Sequence, residues 1–490
     1  MGNGYLVGVD GKSLTPHHAI KDITAALGTG VSVTNFGAVG DGVTDDTAAI
    51  QAALDSDASI IYLPAGTYLL NPVANGGHAL SITSPGKHLQ GAGLDTTKLI
   101  LANPTKDLLG IFADHCTVES LTLDTQTYNG QAAITIVANY THLHRCQFLG
   151  GSNIFCIYFA GPPSASQATP VYNSGNQVIE CIINDQYDGD GFSWSFQAEG
   201  TIRDITHTGS RLALYIGKNC LVDHYDFTPG AQANTQGWYI TPPSDNIVIR
   251  DFTSHTSKDN MTQGGQIGQD PTYKSTNIVI DHPSMIGSYS ALLTVDDVDG
   301  LDIIAPNFEG NTSISIDPQV KATNIRITGG RVPQLHFSQA ASIPADHITL
   351  QGVLFPAFTA ASGQSADTIN NGNGAPASFV IEGGSWENSN GFIYGTGYTY
   401  QVRNLAGYSP QGFATGTPSL PGGTGSSNAV TNTNPYPVRI SQSGASGTTI
   451  EDPSGTAKQL PADPVEFTLD PQAKVYYATT VPTSWLWYGI

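Results

Sequence analysis

One short pattern of residues returns along most of the chain at intervals that cluster near 24 residues. Each copy reads apolar, any residue, apolar, two polar residues, apolar, any residue, apolar, and many copies end in glycine. The copies start near residues 117, 141, 176, 200, 220, 246, 277, 300, 324, 347 and 378. A repeat of this length predicts a solenoid, in which each turn buries its apolar side against its neighbours. The alternative is an ordinary β-sandwich, which would need a strand about every 8–12 residues.

A second set of strand-like segments lies between these copies and includes IFCIYFAG, GFSWSFQ, LALYIG and GWYIT. Two or three strands per turn predict an all-β parallel β-helix, in which equivalent strands of successive turns pair in parallel about 4.8 Å apart. Side chains at equivalent positions then form rows that run along the solenoid.

The stretch Val31 to Leu70 precedes the repeats and predicts a strand, a Gly-Asp-Gly turn, a short helix and two more strands. The helix is expected to end near Ser56. A short helix at this place suits the end of a solenoid, where apolar interior and unpaired strand edges must be covered. Its apolar side is predicted to consist of Ala48, Ile50, Ala53 and Leu54.

Within this stretch, FGAVGDGVTDDTAAIQAAL followed by IYLPAGTY resembles the N-terminal motif of the pectate-lyase-like right-handed parallel β-helix superfamily. That superfamily includes polysaccharide lyases, glycoside hydrolases, alginate epimerases and phage tailspike depolymerases. The resemblance implies a right-handed parallel β-helix with an N-terminal capping helix. Its residues are structural, so the motif leaves the chemistry open.

Four regions follow from the pattern and from composition. We expect a lead segment at 1–30 with a helix from Thr15, the β-helix at 31–405, a linker at 406–434 and a small C-terminal β domain at 435–490. In phage-type β-helix proteins such a terminal domain commonly serves trimerisation or glycan binding. The resemblance therefore implies a homotrimer.

The charge balance restricts the partners. The chain has 19 Lys and Arg against 40 Asp and Glu, a formal charge of −21, which argues against nucleic acid and disfavours a strongly anionic polymer. No segment has the apolar length of a membrane span, and the N-terminus lacks the pattern of a secretory signal. We expect no membrane insertion and an extracellular or virion-associated protein without a signal peptide in this chain.

Metal and disulfide sites receive little support from the sequence. The five cysteines are odd in number and form no CxxC pair, so we expect buried free thiols. The thirteen histidines show no metal-binding spacing. We expect no cofactor, with Ca²⁺ as the one alternative, at an acidic cluster described below.

The alternation of the second set of strands assigns side chains to faces. Phe192, Trp194, Leu212 and Trp238 are predicted to point inward, and the tyrosines and serines between them outward. The outward residues Tyr158, Tyr215 and Tyr239 would form one row, with Ser193 as a gap for a sugar ring. Rings in such a row suit stacking on a polysaccharide, although tyrosine is also simply a good strand former.

The densest polar group lies beside this face and predicts the catalytic residues Asp188, Asp190, Asp226 and Arg211, with Lys218 as a further substrate contact. Asp188 and Asp190 would lie about 6.6 Å apart in an extended strand. That distance does not separate a retaining pair of carboxylates, at about 5–5.5 Å, from an inverting pair, at about 6.5–9.5 Å. The Asp-Gly-Asp-Gly context is also ordinary turn chemistry.

Two families within the superfamily are matched only in part. Polygalacturonase-like hydrolases carry Asn-Thr-Asp-Gly and then a paired Asp-Asp, whereas this chain has Gly189-Asp190-Gly191 and then Ser210-Arg211. Alginate epimerases carry Tyr-Gly-Phe-Asp-Pro-His, where this chain reads Asp-Gly-Phe-Ser-Trp-Ser up to Ser195. The missing Asp and His argue against an epimerase.

A second acidic cluster contains Asp296, Asp297 and Asp299, followed by Glu309 and Asp317. Asp296 and Asp297 could contact substrate as hydrolytic carboxylates, or the cluster could hold Ca²⁺, which prefers hard oxygen ligands. A solvated turn is the interpretation we favour.

The leading hypothesis is a phage-tailspike-like depolymerase that hydrolyses glycosidic bonds of an extracellular bacterial or plant polysaccharide with two carboxylates. The first alternative is a polysaccharide lyase, with Lys218, Arg211 or Tyr215 as the base that removes a proton next to a uronate carboxylate. The second alternative is a non-catalytic glycan-binding fibre.

Overall fold

The chain divides into two compact units, Met1–Ile240 and Thr241–Ile490, in the computed structural model. The residues that the structure describes are 30–71, 77–102, 107–126, 132–150, 155–185, 190–230, 235–268, 270, 272–310, 313–316, 322–337, 345–356, 369–371, 379–387, 393–394, 400–403, 405, 425, 428–432, 438–443, 446–460, 466–470, 472–480 and 484–489. The predicted helix from Thr15 lies outside them, as does most of the predicted linker.

The first unit contains a 3₁₀ helix, Val33–Phe36, and one α-helix, α1, Thr47–Asp55, within its described part. Its strands, in chain order, are β1 Gly30–Ser32, β2 Asp41–Asp45, β3 Ile60–Leu63, β4 Gly66–Leu70, β5 His78–Ile82, β6 His88–Gly91, β7 Thr97–Leu101, β8 Asp107–Ile111, β9 Thr117–Glu119, β10 Thr122–Asp124, β11 Ile134–Ile136, β12 His142–His144, β13 Gln147–Gly150, β14 Phe155–Phe159, β15 Asn173–Ser174, β16 Gln177–Ile179, β17 Ile182–Asp185, β18 Asp190–Ser195, β19 Gln197–Ala198, β20 Thr201–Gly209, β21 Arg211–Tyr215, β22 Lys218–Pro229 and β23 Thr235–Thr241.

Most of these strands pair in parallel in three stacks, which makes the unit a parallel β-helix. β15, β19 and the start of β22 pair in a shorter parallel ladder. The first stack is β1-β3-β6-β9-β12-β16, continued by the first halves of β20 and β22. The second is β2-β4-β7-β10-β13-β17, continued by the second halves of β20 and β22. The third is β5-β8-β11-β14-β18-β21-β23.

The bend between the first and second stacks is made by one left-handed residue per turn. These residues are Ser120, Arg145, Glu180, Asp204 and His224, with φ between 50° and 58°. They are 25, 35, 24 and 20 residues apart, which reproduces the irregular spacing of the sequence repeat. The extra residues of a long repeat are therefore accommodated elsewhere in the turn, and the bend itself keeps its length.

Helix α1 forms close to where the sequence predicts it and ends at Ser56. Ile50, Ala53 and Leu54 are buried as predicted, but Ala48 is exposed. The Gln51 side chain donates to the Ser81 carbonyl and accepts from the Ser81 amide, both at 2.9 Å, so it pairs with backbone groups at one edge of β5. The predicted role of α1 as a cap of the whole solenoid stays a prediction.

The five cysteines are among the buried residues of the first unit. All five cysteines are buried and free, as the sequence predicts. Burial raises the pKa of the Cys146 and Cys156 thiols well above the ordinary value, so these thiols behave as small apolar side chains.

The second unit continues with β24 Asp245–Ile267, β25 Ser275–Asp281, β26 Ser284–Val295, β27 Val298–Ile304, β28 Asn307–Glu309, β29 Ile314–Ile316, β30 Ala322–Thr328, β31 Leu335–Phe337, β32 Asp346–Gln351, β33 Leu354–Phe355, β34 Ile369–Asn371, β35 Phe379–Glu382, β36 Ser385–Trp386, β37 Ile393–Tyr394, β38 Tyr400–Arg403, β39 Val430–Thr431, β40 Val438–Ser443, β41 Ser446–Glu451, β42 Ala457–Gln459, β43 Glu466–Leu469, β44 Lys474–Thr480 and β45 Ser484–Gly489.

Pairing in the second unit changes from parallel to antiparallel along the chain. β24, β25, β27, β30, β32, β35 and β38 pair in parallel in that order. The strands β39 to β45 pair antiparallel in two small sheets. The strands β40 to β45 form in the region where the sequence predicts a small β domain, while the predicted domain boundaries stay predictions. No helix in the described part of the chain is long and apolar enough to cross a membrane.

Candidate functional site

The candidate site lies on the third stack of the first unit, where β14, β18, β21 and β23 follow one another. The inward residues Phe192, Trp194, Leu212 and Trp238 are fully buried, as the alternation predicts. In the register of the stack, Phe159 pairs with Trp194 and Trp194 pairs with Leu214. This apolar row fixes the strands that carry the polar residues of the outer face.

Asp190 and Arg211 form the centre of the site. Each is the first residue of its strand, β18 or β21, and the two are directly paired in the register. The Arg211 Nε donates to Asp190 Oδ1, and the Tyr215 hydroxyl donates to Asp190 Oδ2 at 2.5 Å. The Asp190 side chain is 7% exposed and that of Arg211 29%. The Arg211 cation binds one oxygen of the Asp190 carboxylate, and the neutral Tyr215 hydroxyl binds the other.

The remaining groups on Arg211 complete this arrangement, which we call the Asp190 cluster: Asp190, Arg211, Tyr215, Gln236 and Tyr239. The Arg211 Nη1 donates to the Gln236 side-chain oxygen. The guanidinium carbon lies 5.2 Å from the centre of the Tyr239 ring, a cation–π distance. The Tyr215 and Tyr239 rings meet edge to face at 6.1 Å.

The electrostatics of the cluster follow from burial and from Asp190. Burial by itself lowers the pKa of Arg211, but the charge of Asp190 and its hydrogen bond outweigh burial and raise that pKa above the ordinary value. Burial, together with the charge of Asp190, also raises the pKa of Tyr215 far above its ordinary value. Arg211 is therefore a permanent cation and Tyr215 keeps its proton, so Tyr215 can donate a hydrogen bond but is a poor base.

The predicted row of three tyrosines is wrong in one member. Tyr215 pairs with Ser195, whereas Tyr158 pairs with Ser193, which pairs with Ala213. Tyr158 is therefore displaced from the row of Tyr215 by two residues. Its ring stacks on Phe155 at 4.4 Å instead. Only the tyrosines of β21 and β23 form a pair, and a glycan contact at Tyr158 stays a prediction.

Ser193 does not form the open gap on the surface that the alternation predicts. Ser193 is 0% exposed and Ser195 8%, and their hydroxyl oxygens are 3.0 Å apart. Outward alternation gives the direction of a side chain but not its exposure, because a short side chain lies below the level of larger neighbours such as Tyr158. A contact between Ser193 and a glycan stays a prediction.

The other predicted residues of the first unit lie apart from the cluster or outside the described residues. Asp188 lies in the segment 186–189, which is not among the described residues. Asp226 is exposed on β22, where it pairs with Thr206 in the second stack, a different stack from that of Asp190. Lys218 is exposed at the start of β22 and pairs with Ala198.

The second acidic cluster is not the solvated turn that the sequence favours. Asp296 and Asp297 directly follow β26 and are 2% and 0% exposed. The Gln266 amide donates to Asp296 Oδ2 at 2.9 Å. Both residues are enclosed by the protein, and a substrate contact at either one stays a prediction. Asp299 is half-buried beside Lys274, and Asp317 lies outside the described residues.

A polar network that the sequence pattern did not predict lies in the interior beneath the Asp190 cluster. Asp185, His207 and Tyr225 are each 2% exposed or less and are joined by two hydrogen bonds of 2.6 Å. The signal was present: His207 alternates with the buried Ile205, which predicts an inward histidine. An inward histidine needs a buried hydrogen-bond partner, and a carboxylate such as that of Asp185 can serve as one.

Comparison with known proteins supports the fold. The chain matches the family model described as rhamnogalacturonase A/epimerase, pectate lyase-like, over residues 30–278. Two mannuronan C5-epimerases of Azotobacter vinelandii, AlgE4 and AlgE3, are 40% identical over 74 residues and 41% identical over 71 residues. Each match spans 14% of this chain, and the chain spans only 13% and 4% of the length of these relatives.

Three solved structures show how far the likeness extends. The A-module of mannuronan C-5 epimerase AlgE6 of Azotobacter vinelandii is 15% identical with a TM-score of 0.44, covering 77% of this chain and 99% of its own. The GH87 α-1,3-glucanase of Streptomyces thermodiastaticus is 14% identical with a TM-score of 0.48, covering 77% and 69%. The tailspike of E. coli bacteriophage HK620 is 12% identical with a TM-score of 0.47, covering 98% and 96%.

The parallel stacks and the family match together confirm the resemblance drawn from the N-terminal motif. The matched residues include the whole of β1 to β24, and therefore every residue of the Asp190 cluster. Because the family model matches just over half of the chain, this protein belongs to the pectate lyase-like rhamnogalacturonase A/epimerase family of parallel β-helix proteins.

Proposed function

We propose that the chain is a polysaccharide depolymerase that hydrolyses glycosidic bonds at the Asp190 cluster. The observation that carries the proposal is the Asp190 carboxylate, held by Arg211 and Tyr215 next to two tyrosine rings on the outer face of a β-helix. A positioned carboxylate is what an acid–base glycosidase needs. The two rings provide apolar faces with hydroxyls, which suit a sugar.

The proposal assigns Asp190 the role of the carboxylate that attacks the sugar or activates water. Arg211 and Tyr215 hold the carboxylate in one orientation, and orientation contributes strongly to such a reaction. The acid that protonates the leaving oxygen is proposed to be Asp188, two residues earlier in the chain.

The charge of the site favours a neutral polysaccharide. Within the Asp190 cluster the single cation, Arg211, is already paired with Asp190. The whole chain carries a formal charge of −21, which repels an anionic polymer. Sugar hydroxyls can be bound by a neutral ion pair, because the pair offers both donors and acceptors.

A second candidate is proton abstraction next to a uronate carboxylate, which leads to lyase or epimerase chemistry. The observation that favours it is the contact between a guanidinium and a tyrosine, Arg211 and Tyr215, through Asp190. The partial match to mannuronan C5-epimerases points the same way. Against it, the raised pKa of Tyr215 makes that residue a poor base. A non-catalytic glycan-binding fibre is the remaining alternative.

The test is incubation of the full chain with a panel of neutral and acidic capsular and extracellular polysaccharides. New reducing ends without ultraviolet absorbance of an unsaturated sugar support hydrolysis. Unsaturated products indicate a lyase, and exchange of solvent deuterium into an unshortened uronan indicates an epimerase. Binding without any of these products overturns the enzyme proposal in favour of a fibre. An extracellular or virion-associated location and a polysaccharide partner are part of the same proposal.

A further inference from the structure

A chain of hydrogen bonds lies in the interior of the first unit directly beneath the Asp190 cluster. His207 Nε2 contacts Asp185 Oδ2 and His207 Nδ1 contacts the Tyr225 hydroxyl, both at 2.6 Å. The other oxygen of Asp185 accepts from the Ser210 amide at 2.9 Å and from the Ser210 hydroxyl at 2.6 Å. Both carboxylate oxygens of Asp185 therefore have hydrogen-bond partners within the protein, although the side chain is buried away from solvent.

Asp185 touches both strands that supply the Asp190 cluster. Ser210, which it binds, directly precedes Arg211 at the start of β21. On the other strand, Gly191 directly follows Asp190, and a Cβ atom there would lie 2.0 Å from Asp185 Oδ2 and 2.8 Å from His207 Nε2. One buried carboxylate thus binds the backbone next to Arg211 and packs closely against the backbone next to Asp190.

The backbone ladder does not supply this alignment by itself. The pairing of β18 with β21 is regular from Phe192 onward, but its register shifts between Asp190 and Phe192. A shift of this kind disrupts the local ladder and re-aims the side chains beside it. Contacts outside the ladder therefore help to set the position of Asp190 relative to Arg211. Asp185 lies against Gly191, within the shift, and binds Ser210, which precedes Arg211.

The fold does not require polar residues at this place. In the register of the second stack, His207 pairs with Ile183 on one side and Phe227 on the other, both buried and apolar. Apolar residues at such positions are often neutral or stabilising relative to a buried ion pair. Burial of Asp185 and His207 is thus a cost that stability of the solenoid alone does not explain.

We propose that Asp185 is a positioning residue, held by His207 and Tyr225, which aligns the starts of β18 and β21 so that Asp190 meets Arg211. The proposal rests on the proposed function only in taking the Asp190 cluster as the site. Asp185 itself is buried and contacts no substrate. Its effect on any reaction is exerted through the geometry of Asp190 and Arg211.

The test measures that geometry without a glycan, so its outcome is independent of the reaction. The full chain is treated with phenylglyoxal, and modification of each arginine is followed by peptide mass mapping. In the wild type, Arg211 is expected to react slowly because Asp190 and Gln236 hold it. Arg326, paired with Asp302 in the second unit, is the internal reference.

In Asp185→Ala, we expect modification of Arg211 to speed up about five-fold, equivalent to about 1 kcal/mol, the net contribution of a typical hydrogen bond. Asp185→Asn retains an acceptor for the Ser210 amide and is expected to restore much of the protection. The rate at Arg326 is expected to stay constant in both variants.

Two milder variants and one matched control keep the proposal falsifiable if Asp185→Ala does not fold. Ser210→Ala and Tyr225→Phe each remove one hydroxyl of the network and are expected to speed modification of Arg211 by a smaller factor. Ile183→Val loosens the same interior row without touching a polar group and is expected to leave Arg211 protected. Unchanged protection in both hydroxyl variants, or equal loss of protection in Ile183→Val, overturns the proposal.

Discussion

Asp190 and Arg211 face each other in register on neighbouring parallel strands, and their ion pair is largely buried, with exposures of 7% and 29%. Asp302 and Arg326 have the same relation on β27 and β30, but are 32% and 58% exposed. The same cross-strand Asp–Arg pair thus occurs once in a buried and once in an exposed environment. Desolvation, which differs between them, should decide what each pair contributes.

The first prediction concerns stability. Arg211→Ala leaves the buried Asp190 carboxylate without its cation and should lower the free energy of unfolding by about 3–5 kcal/mol. Arg326→Ala removes the partner of an exposed pair and should cost about 1 kcal/mol or less. Urea unfolding of both variants measures the difference. Equal losses would show that burial of the first pair has no energetic effect.

The second prediction concerns chemistry. Asp190→Asn removes the negative charge at nearly constant volume, and should lower kcat on the glycan that the panel identifies by at least about 10²-fold. The fold should persist, because the asparagine oxygen can still accept from Arg211, which keeps its contacts to Gln236 and Tyr239. Asp302→Asn, in the matched exposed pair, serves as the control and should retain activity. Activity of Asp190→Asn within a few-fold of the wild type would place the reaction outside the Asp190 cluster.

The third prediction concerns glycan binding. Tyr215→Ala should weaken binding of oligosaccharide fragments by about 1 kcal/mol, the scale of an aromatic contact. Tyr215→Phe keeps the ring but loses the hydrogen bond to Asp190, so it should bind nearly as well as the wild type. Calorimetric titration compares the two, with the exposed Tyr62→Ala on the first stack as the control. Equal affinity of Tyr215→Ala and the wild type would assign the ring to packing alone.

The fourth prediction concerns acid. Burial alone would raise the pKa of Asp185, but the hydrogen bonds and charge of His207 and the contacts to Ser210 outweigh burial and hold that pKa below its ordinary value of 3.8. The folded state therefore binds this proton less tightly than the unfolded state. The resulting stabilisation is fully present above the ordinary pKa and is lost as the pH falls through it toward the lowered one.

Urea unfolding between about pH 7 and pH 3 tests this linkage. The stability difference between the wild type and Asp185→Asn should be largest near neutrality and should shrink in acid. A difference that is independent of pH would show that Asp185 does not titrate with a lowered pKa in the folded protein.

The fifth prediction concerns assembly and rests on the resemblance to phage fibres. We expect a homotrimer whose interfaces exceed the roughly 1,600 Å² of a standard protein contact. Light scattering at micromolar concentration should give three times the mass of one chain. The mass of a single chain would contradict the prediction.

Local sequence determined the architecture because every element of a solenoid is specified by residues close to it in the chain. The apolar alternation predicts which of Phe192, Trp194, Leu212 and Trp238 face the interior, and the repeat predicts where each turn restarts. The apolar side of α1 was predicted at three of four positions. Such patterns depend only on the period of a strand or helix, so they can be read without knowing which strands are neighbours.

The relations between turns were decided by the tertiary structure. The register places Tyr158 beside Ser193 and Tyr215 beside Ser195, an offset of two residues that depends on the lengths of the intervening loops. The burial of polar residues could not be predicted from the sequence either, since Ser193, Asp296 and Asp297 are polar and yet buried.

The sequence by itself determined that this chain is a parallel β-helix and that Asp190 and Arg211 lie beside strands of its outer face, because alternation and repeat length are local properties. Only the tertiary structure decided that the two residues pair, and that Asp185, His207 and Tyr225 lie beneath them. These residues are up to 40 positions apart in the chain. Their contact is set by how many residues each turn contains, a sum over loops that no single motif encodes.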